Sequence, residues 1–401
     1  MKITIIGAGP GGPQWMSHIA YETLQRADIC IGAQRLLEYL PGDIAAIRCE
    51  ATTPEEIARL IMQQRQAEQI CILVSGDAGF YSVAKKLLPL LQGYEVSVFP
   101  GISSMQMLAA ALGRPWQDWH LASAHGRDCN AAVLVRDHAE TFFLTGGEHT
   151  VRRICRDLYE AGFGEYQAVV GCRLGGAGEA IYADKVETLA GRDHDPLAVL
   201  LVKNPQPRRL ASCGFADDRF IRGEAPMTKS EVRAIALSKL CLNIDDTVYD
   251  VGAGTGSLAV EAALLVRCGR VYAIERSEDN CRLIEDNARR FAAANLMLVA
   301  AEAPAAFSGL PAPDAAFIGG SGGKLPQILA ELLRLNPTVK LVISAVTLET
   351  LSAATATMKE LPITEVEIVQ VAVSRARAMG GHHLLLAQNP VFLISGVGKN
   401  G

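Results

Sequence analysis

Two glycine-rich turns, separated by most of the chain, constrain how this sequence can fold. The first, at residues 7–12, follows a short β-branched run, and the second, at residues 252–256, ends another such run. Glycines at the end of a strand let the backbone approach a ligand closely, and the helix that follows presents its N-terminal N–H groups. Two such turns predict two α/β ligand-binding units. The length of 401 residues agrees, since domains average roughly 150 residues.

The segment 204–221 predicts a connection between two domains. Most of it reads NPQPRRLASCGFADDRF, with two prolines, adjacent arginines and no apolar periodicity. We therefore expect domains at residues 1–203 and 222–401. A second αβ set begins after Arg114-Pro115, so the first domain is expected to have two lobes that divide near residue 114.

Short apolar runs alternate with helical patterns in both domains, which predicts α/β folds with parallel sheets covered by helices. In the first domain the expected strands lie at residues 3–6, 29–31, 70–74, 96–99, 141–144, 168–170 and 198–202. In the second domain they lie at residues 247–250, 271–274, 297–299, 315–318 and 340–343, and an antiparallel pair at 363–372 and 384–394 closes the sheet. Capping boxes from Thr53 to Glu56 and from Thr228 to Glu231 predict two helix starts.

The charge balance provides no general attraction for a polyanion. The chain has 38 basic and 43 acidic residues, a net charge of -5 and a pI near 6.0, so we expect no nucleic-acid partner.

No apolar run approaches the roughly 18 to 20 residues that span a bilayer, and the first apolar run stops at Gly7, too short for a secretory signal. We expect a cytoplasmic protein without a membrane partner. Its ten cysteines include no Cys-x-x-Cys pair, which predicts reduced thiols and no metal site.

The second glycine turn carries acids that indicate its ligand. Asp250 comes one turn before the glycines, and Glu275 ends the next predicted strand, where an acid accepts hydrogen bonds from both hydroxyls of a ribose. The glycine spacing differs from the Gly-x-Gly-x-x-Gly of dinucleotide folds. Asp250 would repel a pyrophosphate but attract the ammonium and sulfonium groups of S-adenosylmethionine. A methyl donor is therefore predicted rather than NAD.

From residue 222 to the C-terminus, the chain resembles the seven-stranded, Rossmann-like (class I) methyltransferases that use S-adenosylmethionine. More narrowly, PMTK at 226–229, AEAP at 301–304, FIGGSGG at 317–323 and NPVF at 389–392 resemble the family that methylates carbon 15 of (cobalt-)precorrin-6B and decarboxylates its ring C acetate. The resemblance implies cofactor contacts at Thr228, Asp250, Gly252, Ala253, Gly254, Thr255, Gly256, Glu275 and the backbone of Ala301.

The first glycine turn fits Gly-x-Gly-x-x-Gly, but residues 31–35 lack the acid that a dinucleotide fold needs, and Pro13 interrupts the expected helix. With Ser17, the sequences SGDAGFY at 75–81 and FPGISS at 99–104 resemble the signatures of the tetrapyrrole methylases, a two-lobed (class III) fold. That resemblance covers residues 1–203 and implies a folded cofactor between the lobes. The implied contacts are Pro10, Ser75, Gly76, Asp77, Phe80, Ser103, Ser104 and Thr145. Ala78 replaces the usual proline, which predicts a looser loop.

Together the two resemblances indicate the family in which these methyltransferases are fused for cobalamin (corrin) biosynthesis. That family implies methylation of carbon 5 by the first domain, methylation of carbon 15 with decarboxylation by the second, one S-adenosylmethionine site in each, and a homo-oligomer. Because neither domain is basic, placed cations must hold the tetrapyrrole polycarboxylate. Candidate anchors are Lys229, Arg233, Lys324, Arg375, Arg377, His382 and His383 in the second domain, and Arg114, His125, Arg127 and Arg173 in the first. No residue is assigned a covalent catalytic role.

Three other functions stay open at the level of sequence. A nucleic-acid methyltransferase with an N-terminal recognition domain would share the second fold, although residues 314–320 lack the Asp/Asn-Pro-Pro-aromatic sequence that holds a base. A two-Rossmann NAD or FAD oxidoreductase would use both glycine turns. In the third alternative, only one of the two domains is catalytic and the other serves as a scaffold.

Overall fold

The computed structural model describes residues 1–64, 66–124, 129–207, 213–224 and 226–400. The chain forms two compact units: unit 1 contains Met1–Cys129 and His138–Gln206, and unit 2 contains Asn130–Asp137 and Pro207–Gly401. The sequence predicts that residues 130–137 belong to the first domain, whereas in the structure they group with unit 2. There the side-chain Nδ2 of Asn130 donates to the carbonyl oxygens of Arg267 and Gly269, at 2.9 and 3.0 Å.

Helices and strands alternate along the described residues. The helices are α1 (His18–Gln25), α2 (Gln34–Glu38), α3 (Pro54–Gln63), α4 (Ala84–Leu87), α5 (Ser104–Ala111), α6 (Ala131–Asp137), α7 (Val151–Glu160), α8 (Val186–Ala190), α9 (Ser230–Leu240), α10 (Ser257–Leu265), α11 (Glu278–Arg290), α12 (Leu325–Leu335) and α13 (Leu348–Glu360). The strands are β1 (Lys2–Gly7), β2 (Ile29–Gly32), β3 (Ile47–Glu50), β4 (Gln69–Val74), β5 (Glu95–Phe99), β6 (His120–Ser123), β7 (Glu140–Leu144), β8 (Gln167–Cys172), β9 (Ala180–Lys185), β10 (Ala198–Lys203), β11 (Thr247–Val251), β12 (Arg270–Glu275), β13 (Leu296–Ala300), β14 (Ala315–Ile318), β15 (Lys340–Ala345), β16 (Ile363–Val371), β17 (Ser374–Met379), β18 (His382–Ala387) and β19 (Val391–Gly398).

Unit 1 contains two five-stranded sheets, one in each lobe. The first is parallel throughout, as predicted, in the order β3-β2-β4-β1-β5. The second, in the order β6-β7-β10-β8-β9, is mixed, so the expectation of a parallel sheet is wrong there: β10 runs antiparallel to β7 and β8, and β9 runs antiparallel to β8. In the first sheet, Ile5 and Ile72 are fully buried and pack with α3, whereas Ile6 and Cys71 pack on the opposite face with α1. Helices therefore cover both faces, as continuous apolar strands predict.

Unit 2 contains a seven-stranded sheet in the order β13-β12-β11-β14-β15-β19-β16. Its first five strands are parallel, and β19 runs antiparallel to β15 and β16. This confirms the predicted seven-stranded class. Because ligands of open α/β sheets bind at the carboxyl ends of the strands, the glycine turn that follows β11 lies at the expected edge.

Two local expectations for unit 2 are wrong. Residues 384–394 do not form one strand, because Pro390 lacks the N–H that a continuous strand needs. The segment is divided between β18, which pairs with β17 in a separate hairpin, and β19. Helix α9 begins at Ser230 without a side-chain cap from Thr228, because Asp217 Oδ1 accepts from the Ser230 amide at 3.0 Å instead. The capping box of Thr53 is confirmed.

Among the described helices, none is long and apolar enough to cross a bilayer. In the same part of the chain, no group of three or more His, Cys, Asp and Glu side chains is placed to hold a metal ion.

All ten cysteines are free thiols. Burial raises the pKa of Cys71 and Cys155 to about 12, so these two side chains act as apolar core groups.

Candidate active sites

Three loops meet in unit 1 at the carboxyl ends of β1, β4 and β5. Gly9 and Gly76 exchange two backbone hydrogen bonds, of 3.1 and 2.8 Å. A Cβ atom at Gly101 would collide with the carbonyl oxygens of Gly7 and Gly76. Glycine is needed here because the three loops approach each other closely, which explains the motif without a pyrophosphate.

A cavity of about 570 Å³ opens at these loops. Its size lies in the range of roughly 300–1,000 Å³ that is usual for small-molecule sites. Residues of both lobes of unit 1 line it, including Leu73 from the first and Val199 from the second. All the predicted cofactor residues of this unit lie on its walls: Pro10, Ser75, Gly76, Asp77, Phe80, Ser103, Ser104 and Thr145. The structure thus brings three separate sequence motifs and Thr145 to one cavity.

Asp77 and Ser103 shape the cavity through their own hydrogen bonds. The two carboxylate oxygens of Asp77 accept from the amides of Gly79 and Gly101, at 2.8 and 2.9 Å. Ser103 forms a reciprocal capping box with Gln106 at the start of α5. Asp77 therefore ties two loops together, and the looser loop expected from Ala78 stays a prediction.

Arg35 is a site residue that no sequence motif indicated. Its guanidinium lines the cavity and donates to the carbonyl of Pro10 at 3.0 Å and to the hydroxyl of Ser75 at 3.1 Å. It lies in the stretch 31–35, where the acid of a dinucleotide fold is missing, and the arginine in place of that acid was the available signal.

The hydroxyl of Thr145 donates to the carbonyl of Ala198 at 2.6 Å, so this hydrogen bond fixes the wall of the cavity at Thr145.

The candidate anchors of unit 1 are unequally placed. Arg173 lines the cavity and pairs with Asp195 at 2.6 Å, which raises the pKa of Arg173 and lowers that of Asp195. Arg114 is held by Glu140 at 2.6 Å and does not line this cavity. His125 and Arg127 lie outside the described residues.

The glycine turn of unit 2 packs backbone against backbone. Gly252, Gly254 and Gly256 have φ values of 71°, 56° and 72°, a region that L side chains rarely adopt. A Cβ atom at Gly252 would lie 2.6 Å from the carbonyl oxygen of Gly320. The FIGGSGG loop that contains Gly320 therefore lies directly against the turn, and the two motifs form one surface.

Amides of this turn are paired within the protein. Gly252 and Ala253 donate to the carbonyl oxygen of Ile274, at 3.0 and 3.2 Å, and Gly254 donates to Glu275 at 2.9 Å. We expected N–H groups near this turn to face a ligand, but at these three positions they are already used. The turn therefore contributes a close surface, and these three amides are not available to a ligand.

Glu275 is held by three backbone donors. Its Oε2 accepts from Gly254, and its Oε1 accepts from Arg276 and Ser277, each at 2.9 Å. A carboxylate has about four acceptor sites, so capacity for one more donor remains. The structure fixes the orientation of this group, and its contact with a ribose hydroxyl stays a prediction.

Asp250 lies below the glycine turn with only 1% of its surface exposed. Its Oδ2 has no hydrogen-bond partner among the described residues. Burial raises the pKa of Asp250 to about 7, and the charge of Glu275 acts in the same direction, whereas a hydrogen bond from the backbone of Ala259 opposes it. With so little exposed surface, this carboxylate would act on a cationic ligand through its charge rather than by contact.

Asn287 holds the segment that leads to Thr228 against the turn. Its Nδ2 donates to the carbonyl oxygens of Thr255 and Ile221, at 2.9 and 3.0 Å, and its Oδ1 accepts from the amide of Ile221 at 2.7 Å. No sequence motif indicated Asn287. The available signal was its position three residues after Ile284 on the buried face of α11.

Arg233 is not a substrate anchor, and that expectation is wrong. Its side chain is fully buried and donates to the carboxylates of Asp217 and Glu261, at 3.0 and 2.9 Å, and to the carbonyl oxygens of Phe215 and Thr228. A buried guanidinium requires such partners because an unpaired buried charge is costly. Arg233 therefore holds unit 2 together and fixes the backbone at Thr228.

The other candidate anchors of unit 2 fall into separate groups. Lys229 and Arg375 lie within 4 Å of Asp217, at 3.9 and 3.6 Å. Lys324 pairs with Glu302 at 2.6 Å. The remaining three are exposed on the hairpin of β17 and β18: Arg377, His382 and His383. Arg375 and Arg377 share one face of β17, as predicted.

Ala301 begins the loop after β13. Its amide donates to the carbonyl oxygen of Val299 at 2.9 Å. The neighbouring Glu302 binds Lys324 and Arg276, and these cations lower its pKa. Because the amide of Ala301 already donates to Val299, a role for Ala301 in ligand binding would fall on its backbone carbonyl.

The fold and the two sites define a two-domain α/β methyltransferase. Residues 2–190 match the family of tetrapyrrole (corrin/porphyrin) methylases, and residues 219–397 match the precorrin methyltransferase domain. A precorrin-6Y C(5,15)-methyltransferase (decarboxylating) from Sinorhizobium is 31% identical over 353 residues, which is 86% of this chain and 84% of the relative. The chain therefore belongs to the family of decarboxylating precorrin-6Y C(5,15)-methyltransferases, enzymes of cobalamin biosynthesis.

Shorter relatives match the second half. A cobalt-precorrin-6B C(15)-methyltransferase (decarboxylating) from Salmonella typhimurium is 40% identical over 181 residues, which is 45% of this chain and 93% of the relative. The solved structure of a precorrin-6Y C5,15-methyltransferase from Geobacter metallireducens is 38% identical, covers 46% of this chain and 98% of its own, and has a TM-score of 0.44. The relatives do not support a nucleic-acid methyltransferase or an NAD or FAD oxidoreductase.

Proposed function

We propose that the two units catalyse separate methyl transfers on one tetrapyrrole. Unit 2 methylates carbon 15 of (cobalt-)precorrin-6B and removes carbon dioxide from the ring C acetate, and unit 1 methylates carbon 5. Each unit binds its own S-adenosylmethionine. The observation that carries this proposal is that each unit contains a separate candidate site at the carboxyl ends of its own parallel strands, one around the cavity and one around the glycine turn.

The residues of unit 2 suit a cationic nucleoside. S-adenosylmethionine supplies an electrophilic methyl group on a sulfonium centre. Glu275, fixed by three amides, orients the ribose. Its charge favours a cation above the turn, and a bound cation would in turn favour the ionised form of Asp250, whose pKa is raised to about 7. A carbon of the macrocycle attacks the methyl group in line, so placement and exclusion of water supply most of the acceleration.

Decarboxylation adds the demand that substrate carboxylates be held in place. Loss of carbon dioxide leaves an electron pair on the acetate methylene, which the conjugated ring accepts once a ring position is protonated. Lys229 and Arg375, both half-exposed beside the segment that carries Thr228, are the anchors that the structure favours. In unit 1, Arg173 takes the equivalent role at the wall of the cavity.

Mass analysis of a precorrin incubated with the enzyme and S-adenosylmethionine tests the proposal. We expect two methyl gains and the loss of one carbon dioxide. A product with one methyl gain and the same loss would contradict the activity of unit 1. A substrate that stays unchanged would contradict both activities. Binding of heparin or RNA that persists at physiological salt would favour the nucleic-acid alternative.

We also propose that the enzyme is a cytoplasmic homo-oligomer. Ten free cysteines suit a reducing compartment. The hairpin of β17 and β18 is exposed along both strands, although it carries Met379, Leu384, Leu385 and Leu386. Exposed apolar patches of this kind mark protein interfaces, and a second copy of the chain would cover them.

A further inference from the structure

Three cations of unit 2 converge on one carboxylate oxygen. Oδ2 of Asp217 lies 3.7 Å from Arg222 Nη2, 3.9 Å from Lys229 Nζ and 3.6 Å from Arg375 Nη2. We call Arg222, Lys229 and Arg375 the cation cluster. Their side chains are 42% to 45% exposed, whereas that of Asp217 is 6% exposed. Oδ2 itself has no hydrogen-bond partner in the described part of the chain. Two of the cations are held by neighbouring groups instead: Arg222 Nε donates to the carbonyl oxygen of Asp217 at 3.3 Å, and Arg375 Nη2 donates to the hydroxyl of Ser230 at 3.0 Å.

The point on which the cluster converges is rigid. The other oxygen of Asp217, Oδ1, accepts from Arg233 Nη1 and from the amide of Ser230, each at 3.0 Å. Arg233 is in turn bound to Glu261 of α10. Asp217 is thus fixed against α9, which Arg233 links to α10, and the cations are arranged around a defined position.

The cluster carries more positive than negative charge. Arg375 donates to both carboxylate oxygens of Glu231, at 2.8 and 2.7 Å, which lowers the pKa of Glu231 and raises that of Arg375. The buried pair of Arg233 and Glu261 is neutral. Three cations against Asp217 and Glu231 leave one net positive charge. The three cations repel one another at these distances. A further carboxylate would reduce this repulsion, so its binding would be favourable here.

The cluster also borders the glycine turn. The residue before Arg222 is bound by Asn287, which also binds the carbonyl oxygen of Thr255 in the turn. The carbonyl oxygen of Pro226 lies 3.5 Å from the position of a Cβ atom on Gly254. The segment that carries two of the three cations therefore runs along the predicted methyl-donor site.

We propose that the cation cluster is a carboxylate subsite of the methyl-transfer site in unit 2 and binds one peripheral carboxylate of the tetrapyrrole. The proposal rests on the proposed function of unit 2. Arg222 and Lys229 suit a carboxylate because both can donate charge-assisted hydrogen bonds, whereas Arg375, whose Nε and Nη2 already bind Glu231, contributes mainly its charge. The methyl donor also has a carboxylate, and the experiment separates the two sources.

The test uses the full-length enzyme with Arg222→Gln, Lys229→Gln and Arg375→Gln. The KM for the precorrin is measured by carbon dioxide release at two salt concentrations, and the affinity for S-adenosylhomocysteine is measured by calorimetry. We expect each substitution to raise the precorrin KM about tenfold, as loss of one charge-assisted hydrogen bond would. The salt dependence of KM should weaken, and the affinity for S-adenosylhomocysteine should not change. Arg282→Gln, an exposed arginine of the same unit, is the matched control and should behave as the wild type.

Two results would overturn the subsite. One is an unchanged precorrin KM in all three variants. The other is a loss of S-adenosylhomocysteine affinity with an unchanged precorrin KM, which would assign the cluster to the methyl donor. Equilibrium binding of the precorrin, followed by its visible absorption, tests the cluster without turnover. A wild-type enzyme that releases no carbon dioxide would instead contradict the proposed function of unit 2.

Discussion

Arg233 and Asp217 form a buried ion pair, in which Nη1 lies 3.0 Å from Oδ1. The same guanidinium binds Glu261 of α10 and the carbonyl oxygens of Phe215 and Thr228. One side chain thus connects helices α9 and α10, the chain that enters unit 2 and the segment beside the glycine turn. The geometry of the candidate site in this unit therefore depends on a residue that does not reach its surface.

Replacement of Arg233 should destabilise unit 2 selectively. Arg233→Met leaves two buried carboxylates without their partner, and removal of one member of a buried pair costs about 3–5 kcal/mol. Trp15, Trp116 and Trp119, all the tryptophans of the chain, belong to unit 1. In urea unfolding we therefore expect the transition seen by circular dichroism to shift to lower denaturant more than the transition seen by tryptophan fluorescence.

Arg282→Met is the control for this prediction. Arg282 is exposed on α11 and pairs with Glu278 four residues earlier, an arrangement that contributes little to stability. Its unfolding curves should match those of the wild type. A circular dichroism midpoint of Arg233→Met equal to that of the wild type would contradict the structural role of Arg233.

The fold was predictable where strands are buried and less so at the edges of sheets. The expected strands of unit 1 correspond to β1, β2, β4, β5, β7, β8 and β10. The strands that the sequence analysis missed are β3, β6 and β9, and all three are edge strands. An edge strand has one neighbour and needs fewer apolar residues: β3 reads Ile-Arg-Cys-Glu and is mostly exposed. Apolar runs identify the centre of a sheet better than its limits.

The candidate sites were likewise predictable only in part from the sequence. Motifs located the loops, because glycines at strand ends mark close backbone approach whatever the partner. They could not reveal Arg233, whose partners Asp217 and Glu261 are 16 and 28 residues away in sequence. In a sequence, an arginine of α9 is indistinguishable from a solvated one, and only the packing of helices brings its acids together.

The raised pKa of Asp250 predicts that the stability of the folded protein depends on pH. Because its folded pKa is raised to about 7, above the ordinary value of about 4, the native state keeps a proton that the unfolded state releases. Stability is therefore lost as pH rises through about 7. Asp250→Asn removes this loss and should be more stable than the wild type at pH 8, by at most about 4 kcal/mol.

The stability difference should shrink as pH falls and disappear near pH 4. Thermal unfolding by circular dichroism between pH 4 and pH 8 measures it. Asp279→Asn, an exposed acid of α11, should show no such trend. A difference that is constant over this range would contradict the raised pKa.

Glu275→Gln should impair the site of unit 2. The carboxylate accepts from three backbone amides, but a carboxamide has one oxygen, and its NH₂ group would face an amide donor. We expect the KM for S-adenosylmethionine in carbon 15 methylation to rise roughly ten- to a hundredfold, with methylation of carbon 5 unchanged. Glu278→Gln, three residues later and exposed, is the matched control. Equal loss of both transfers would argue against separate sites.

Asp77→Asn should produce the reciprocal effect. Asp77 joins the amides of Gly79 and Gly101 through its two oxygens, and the carboxamide can replace only one of these acceptors. The loops beside the cavity should loosen, and the KM for S-adenosylmethionine in carbon 5 methylation should rise about tenfold. Release of carbon dioxide should stay at the wild-type level. Asp193→Asn, at an exposed ion pair of unit 1, controls for loss of charge, and an Asp77 variant with normal carbon 5 methylation would remove this residue from the site.

The exposed hairpin of β17 and β18 allows a test of the proposed homo-oligomer. Leu385 is 75% exposed at the middle of a two-stranded sheet, and an isolated hairpin is only marginally stable in water. Burial between copies would remove this apolar surface from solvent, so Leu385→Lys should place a charge in the interface and lower the molar mass measured by light scattering. Leu385→Ile keeps the apolar contact and should retain the wild-type mass. Because the side chain makes little contact within its own unit, circular dichroism should be the same for both variants. A wild-type enzyme that is monomeric, or a lysine variant that keeps the assembly, would show that this hairpin does not join the copies.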